Sequence, residues 1–236
     1  MSISSGFMML PHQKANCHEL LVSGSRCFNL CLTDTAVQRM LRHAELLDAW
    51  QPRINVTAIR DPVEKVIRHF LDSLAVFQVL PWGMGFRVLD VGSGGGFPGV
   101  VMRVADESLR LTLLDRDARK IVFLKHLVRE LALSSVSFVN AAIAQFLSMS
   151  TRNVYDVLIS RALSSVPQML DSLAVLVPPG GFMIRMEGPH RTLGRRLHHW
   201  HERSVWEGVL PFSDIQRRVI LYARANQPRN GTCDTL

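Results

Sequence analysis

A chain of 236 residues, 47% hydrophobic and 20% charged, is long enough for one sizeable core with a modest appendage. Its mean hydropathy of +0.13 and its lack of any apolar run near the ~20 residues that cross a bilayer exclude a transmembrane helix. The first 30 residues hold no basic segment followed by an apolar stretch and a cleavage site, so secretion is not expected and a cytoplasmic location is. The net charge of +7, almost all arginine, with lysine only at Lys14, Lys65, Lys120 and Lys125, suits a polyanionic partner; charges scattered over a solvated surface give the same count.

Residues 1–32 mix Ser, Gly, Cys and His without a sustained period and read as a loosely ordered or irregular lead-in. Cys17, Cys27, Cys31 and Cys233 include no C-x-x-C pair and are too sparse for a disulfide scaffold, so they read as ordinary thiols in a reducing compartment. Their spacing with His12 or His18 matches no standard zinc site, and no metal is expected. From Thr35, the recurrence of Val37, Met40, Leu41, Ala44 and Leu47 predicts a helix to about Trp50, with Thr35 and Gln38 set as a capping box. Asp61-Pro62-Val63-Glu64 reads as N-cap, first-turn proline and acid, opening a second helix with Ile67, Phe70, Leu71, Leu74 and Phe77 on its apolar face, ended by Pro81 and Gly83. Residues 33–84 are thus a helical extension.

Over 85–225, short β-rich runs alternate with helical stretches, the pattern of a parallel sheet covered on both faces. Predicted strands are Phe86–Val91, Arg110–Leu114, Val136–Val139, Tyr155–Ser160 and Phe182–Met186. Helices are expected near Pro98 and over Arg119–Leu131, Ala142–Leu147 and Val166–Leu176. A further helical segment, Leu193–Trp200, precedes a closing antiparallel pair, Val205–Leu210 and Arg217–Ala223, and 226–236 form a tail.

The first strand runs into Gly92-Ser93-Gly94-Gly95-Gly96-Phe97-Pro98-Gly99, where missing side chains let a backbone approach a nucleotide-like ligand. Asp90-x-Gly92-x-Gly94-x-Gly96 is the pattern of S-adenosylmethionine (SAM) enzymes; Gly94, Gly96 and Gly99 also spell the dinucleotide pattern of an NAD-dependent oxidoreductase. The dinucleotide match begins two residues after the strand ends, while Gly92 is on time, so the SAM register fits better. Asp90 favours a cationic ligand over a pyrophosphate, unless it only caps the turn. Asp115, ending the second strand, is placed to read a ribose or to cap the helix that follows.

After the fourth strand the chain reads Ser160-Arg161-Ala162, not the N/D-P-P-Y/F element that orients an exocyclic amine. All four cysteines lie outside the α/β segment, which disfavours methylation through a cysteine adduct. An acceptor already nucleophilic at neutral pH, such as guanine N7, needs only positioning and removal of water.

Asn55-Val56-Thr57 with Arg60-Asp61-Pro62, Arg68-His69-Phe70-Leu71-Asp72-Ser73, Asp90 to Gly99 and Ile159-Ser160-Arg161-Ala162 together resemble the RsmG (GidB) family, 7-methylguanosine methyltransferases of bacterial 16S ribosomal RNA, over about Thr33 to Ala225. The resemblance implies an α/β class I SAM-dependent methyltransferase (Rossmann-like), a mostly parallel seven-stranded sheet with an N-terminal helical extension. It implies SAM binding through Gly92, Phe97, Ile143, Ala144 and Arg161, joined by Asp90, Gly94 and Asp115 from the loop reading. His69, Asp72 and Arg161 are the catalytic candidates at the acceptor pocket, with Asp72 offsetting positive charge on the guanine; His69 and Asp72 could equally be a helix-surface pair. The implied partner is 16S ribosomal RNA, a 30S subunit or its assembly intermediate, with no membrane and with the enzyme as a monomer. Three departures stand out: Gln51 for the usual Asn, Ala144 for an acid, and Glu187 for a Lys before glycine. A carboxylate at Glu187 would repel phosphate, so either Arg185 takes that contact or the substrate differs. Another RNA site, a small molecule, or a non-catalytic SAM- and RNA-binding module stay as alternatives.

Overall fold

The computed structural model describes residues 9–149, 154–161, 167–188 and 197–225. Seven strands form one sheet in the order β3-β2-β1-β4-β5-β7-β6. β1 (Arg87–Val91), β2 (Arg110–Asp115), β3 (Val136–Asn140), β4 (Val157–Ser160) and β5 (Phe182–Glu187) pair in parallel. β7 (Gln216–Arg224) runs antiparallel to both β5 and the edge strand β6 (Trp200–Val209). Sequence order reverses beside β1, where β2 lies on one side and β4 on the other, and ligands of open α/β sheets bind outside the carboxyl ends at such a point.

The predicted strands and crossovers are present within a few residues, with two differences. Leu193–Trp200 was expected to be helical; 193–196 lie outside the described residues, and Leu197–Trp200 are not helical. Asp171 instead accepts the backbone N–H of His198 and His199 at 3.0 and 3.1 Å, and Trp200 already pairs with Arg224 on β7. β6 therefore starts five residues before its apolar run, because His201-Glu202-Arg203-Ser204 are exposed and carry no alternating apolar signal.

The larger correction concerns the N-terminus. The reading of residues 1–32 as a loose lead-in fails over Pro11–Arg26, which form helix α1 with Cys17 and Leu21 wholly buried; residues 1–8 lie outside the described residues. The periodicity was hidden because polar and small residues, Gly24 and Ser25 among them, occupy buried positions; a Cβ at Gly24 would meet Leu71 at 2.7 Å. The extension thus begins at α1. Helix α2 (Asp34–Trp50) is capped by Thr33, which accepts the Ala36 N–H at 3.2 Å, and not by Thr35. Asp61 caps α3 (Pro62–Lys65) as expected, accepting the Glu64 N–H at 2.8 Å. The same rod continues through a π-helical stretch (Val66–Leu71), α4 (Asp72–Leu74) and a 3-10 turn (Ala75–Gln78). Ile67, Phe70, Leu71 and Leu74 of the predicted apolar face are buried and Phe77 is half-buried; His69 and Asp72 are buried too, which corrects the helix-surface reading of that pair.

On one face of the sheet, α5 (Gly99–Ala105) and α6 (Ala118–Glu130) cover β1, β2 and β3, and the extension packs beside them and reaches β7. The other face packs against α7 (Ile143–Met149), α8 (Pro167–Ser172) and the 3-10 turn Leu173–Leu176. The extension is part of the main core: Leu21, Met40, Leu47, Phe70 and Leu74 share it with Val88, Val101 and Leu124.

Candidate active site

The loop after β1 is tied down by its own neighbours. The Gly92 and Ser93 N–H groups donate to Leu114 O at 2.8 and 3.1 Å, and Gly94 N–H donates to Asp115 Oδ2 at 2.9 Å. Gly96 has φ of +93°, a conformation that strains any residue with a Cβ. Gly99 is required by contact: an added Cβ would stand 2.6 Å from Asp90 Oδ2, the atom that accepts the Gly99 N–H at 3.1 Å. Asp90 therefore does hold the turn.

Asp90 does more than that. Its side chain is wholly buried, and burial pushes its carboxyl up to about 7, against the pull of the Gly99 amide and the Ser93 hydroxyl. Its Oδ1 has no hydrogen-bond partner among the described residues. A buried carboxylate oxygen with no donor is costly unless a ligand supplies one. An ammonium group can supply that donor and an ionised pyrophosphate cannot, which separates the two glycine registers on chemistry as well as spacing.

Asp115 Oδ1 accepts the Asp117 N–H at 2.9 Å, and Asp117, not Asp115, caps α6 through the Arg119 N–H. The capping alternative for Asp115 is thus removed, and its carboxylate faces the glycine loop with lone pairs left for a diol. Ala141 N–H donates to Asp115 O at 3.2 Å, which brings Ile143 and Ala144, opening α7, to the same sheet edge. Ile143 is half-buried and Ala144 exposed. The residues Asp90, Gly92, Gly94, Phe97, Asp115, Ile143 and Ala144 fit SAM: a carboxylate for the cation, a glycine backbone for close approach, and an acid for the ribose.

A second cluster is assembled from distant segments. Arg161 follows β4 and points its guanidinium at the rod. Its Nη2 donates to Arg68 O at 2.9 Å and lies 3.3 Å from Asp72 Oδ2, while Nη1 stands 3.5 Å from His69 Nδ1. Arg217 on β7 donates from Nε to Asp72 Oδ1 at 3.1 Å. Burial raises the Asp72 carboxyl above its ordinary value, outweighing the opposing pull of Arg161 and Arg217. One buried carboxylate thus fixes two arginines, each partly exposed.

His69 is pushed down to about 3, first by burial and then by Arg161, so it is neutral. Guanidinium can only donate, so Nδ1 keeps its lone pair and Nε2–H donates to Thr57 Oγ1 at 2.6 Å, which also accepts the Ile59 N–H at 3.1 Å. The His69 ring stacks on Phe97 with centroids 4.5 Å apart. His69, Asp72 and Arg161 therefore come together as anticipated, but as an interlocked set. Asp72, expected as a countercharge to the guanine, is buried and paired with both arginines.

The Glu187 question also resolves differently. Glu187 is 4% exposed and Arg185 2% exposed, and the two form an ion pair on one face of β5. Neither faces solvent, so Glu187 repels no phosphate there and Arg185 does not supply the substituting contact. Thr57, Arg217 and His43, whose Nε2–H donates to Gly95 O at 2.7 Å, escaped the sequence reading; Thr57 alone stood inside a recognised marker. The other two sit on regular elements where their types give no signal.

A family model described as rRNA small subunit methyltransferase G matches residues 36–199. The Ribosomal RNA small subunit methyltransferase G of Burkholderia lata is 35% identical, over 86% of this chain and 90% of its own. That of Leptothrix cholodnii is also 35% identical, over 86% and 93%. Among solved structures, a SAM dependent methyltransferase from Aquifex aeolicus superposes with a TM-score of 0.52 at 15% identity, over 68% of this chain and 93% of that one, a likeness of fold.

Proposed function

The chain belongs to the rRNA small subunit methyltransferase G family, SAM-dependent enzymes of the class I fold, and from that premise we propose that it methylates N7 of a guanine in bacterial 16S ribosomal RNA, in the cytoplasm, on the naked RNA or a 30S particle. When bound, SAM supplies a methyl group on a sulfonium centre. The chain's residues do the rest by binding and alignment. Asp90, the glycine loop and Asp115 hold the cofactor; Arg161 and Arg217, set by Asp72, face the acceptor.

One observation carries the choice of atom. The candidate acid–base groups of the acceptor side are all engaged: both His69 nitrogens face partners, and both Asp72 oxygens face arginine. The absence of an unengaged base among the described residues of this cluster suits an acceptor that brings its own lone pair, as guanine N7 does, and needs only alignment and exclusion of water. Burial of Glu187 takes away the motive for another substrate. Incubation of labelled SAM with 16S RNA or 30S subunits lacking the modification, followed by digestion to nucleosides, tests the reading. Label in 7-methylguanosine at a single site supports it; label in another nucleoside, or SAM binding with no transfer to either RNA form, overturns it.

A further inference from the structure

Beyond the acceptor residues, we propose that His43 is a positioning residue of the cofactor loop, through which helix α2 fixes the Gly95–Gly96 peptide in the orientation that binds SAM. Nothing in the glycine motif points to it, since it lies 52 residues before Gly95. His43 is 1% exposed, and its Nε2–H donates to Gly95 O at 2.7 Å. The other end of the same peptide is held as well, because Gly96 N–H donates to Ser93 O at 2.7 Å. With carbonyl and amide both bound, the peptide plane cannot rotate without breaking a buried hydrogen bond.

The ring of His43 adds a second restraint. It lies parallel to Phe97, 8° from coplanar with centroids 4.7 Å apart, while His69 also stacks on Phe97, at 4.5 Å, and Phe70 meets it edge-on at 5.3 Å. Phe97 thus stacks with two imidazoles, one from α2 and one from the rod that begins at α3. Gly96 completes the fit: a Cβ there would come within 3.2 Å of His43 Cε1. Ring and N–H act on successive residues of one loop, so the two can be separated by substitution. His43→Phe keeps an aromatic ring and removes the donor; His43→Gln keeps an N–H donor and removes the ring.

The inference rests on the SAM reading, and the experiment keeps the two apart. SAM affinity by calorimetry, SAM KM, kcat and thermal unfolding are measured for the full-length wild type and both variants. His43→Phe is expected to raise SAM Kd and KM about tenfold with kcat within about twofold, and His43→Gln to recover most of that loss. A wild type that fails to bind SAM would remove the premise. A wild type that binds, with His43→Phe unchanged in Kd and KM, would overturn the role of His43. So would a loss confined to Tm and kcat in both variants, which is what packing alone would give.

Discussion

The two halves of the site are built on different length scales. On the cofactor side, Asp90 reaches Gly99 nine residues on and Gly94 reaches Asp115 over 21 residues. On the proposed acceptor side, Arg161 meets Arg68 over 93 residues and Arg217 meets Asp72 over 145. Local constraints make a loop that survives as a motif; long-range ones make a cluster that exists only after the extension docks on the sheet. The lesson is that the proposed acceptor side depends on the packing of the whole chain, while the glycine loop is shaped by a strand, a turn and a helix start and tied to the extension through His43.

Substitutions that touch one half and leave the other alone test that division. The largest effect is expected at Asp72. Asp72→Asn leaves shape intact but removes the charge that fixes Arg161 and Arg217, and should lower kcat about a hundredfold, roughly 2.7 kcal/mol, with SAM Kd within about twofold. Next comes Lys65, wholly buried, whose ammonium donates to Asp48 Oδ1 at 2.5 Å and Arg60 O at 2.8 Å, pinning the loop that carries Thr57. Lys65→Met should cost about 2 kcal/mol of stability, read as a fall in Tm of roughly 4–8 °C.

Asp90→Asn should weaken SAM binding about tenfold and abolish its dependence on pH. In the wild type SAM affinity should rise as pH passes through about 7, where the buried carboxyl ionises and can face a cation. Stability moves the other way at this residue. With its pKa raised, Asp90 contributes stability below the ordinary carboxylate range that is lost as pH rises through about 7. His43 and His69, held down to about 4 and about 3, contribute stability above pH 6.5 that is lost as pH falls through those values. Denaturant titrations of wild type and His43→Phe between pH 4 and 8 check the sign: the variant should lose less stability toward acid. The smallest effect is expected at the exposed Arg39–Glu107 pair, where Glu107→Gln should shift stability by less than about 0.5 kcal/mol in a denaturant titration.

Legibility followed the same division. The sheet, its crossovers and the glycine loop were readable because strand alternation, Asp61-Pro62 and the spacing from Asp90 to Gly99 are statements about neighbouring residues. The resemblance placed Arg161 with His69 and Asp72, yet nothing in the sequence put Arg217 against Asp72, since an arginine in a strand looks the same whether it meets water or a buried carboxylate. Helix α1 was missed because its buried positions are Cys17, Gly24 and Ser25 as well as Leu21, too polar and small a set to show a period. Glu187 looked like a surface charge facing RNA, and burial beside Arg185 on one face of β5 makes it an interior ion pair instead.

The most direct test of the account is single-turnover methyl transfer at saturating SAM, wild type beside Asp72→Asn, with the product nucleoside identified and SAM Kd measured on the same samples. The account predicts label in 7-methylguanosine, a roughly hundredfold slower step in the variant and a SAM Kd within about twofold of wild type. Label in any other nucleoside, or an equal loss of rate and SAM affinity in Asp72→Asn, would contradict it.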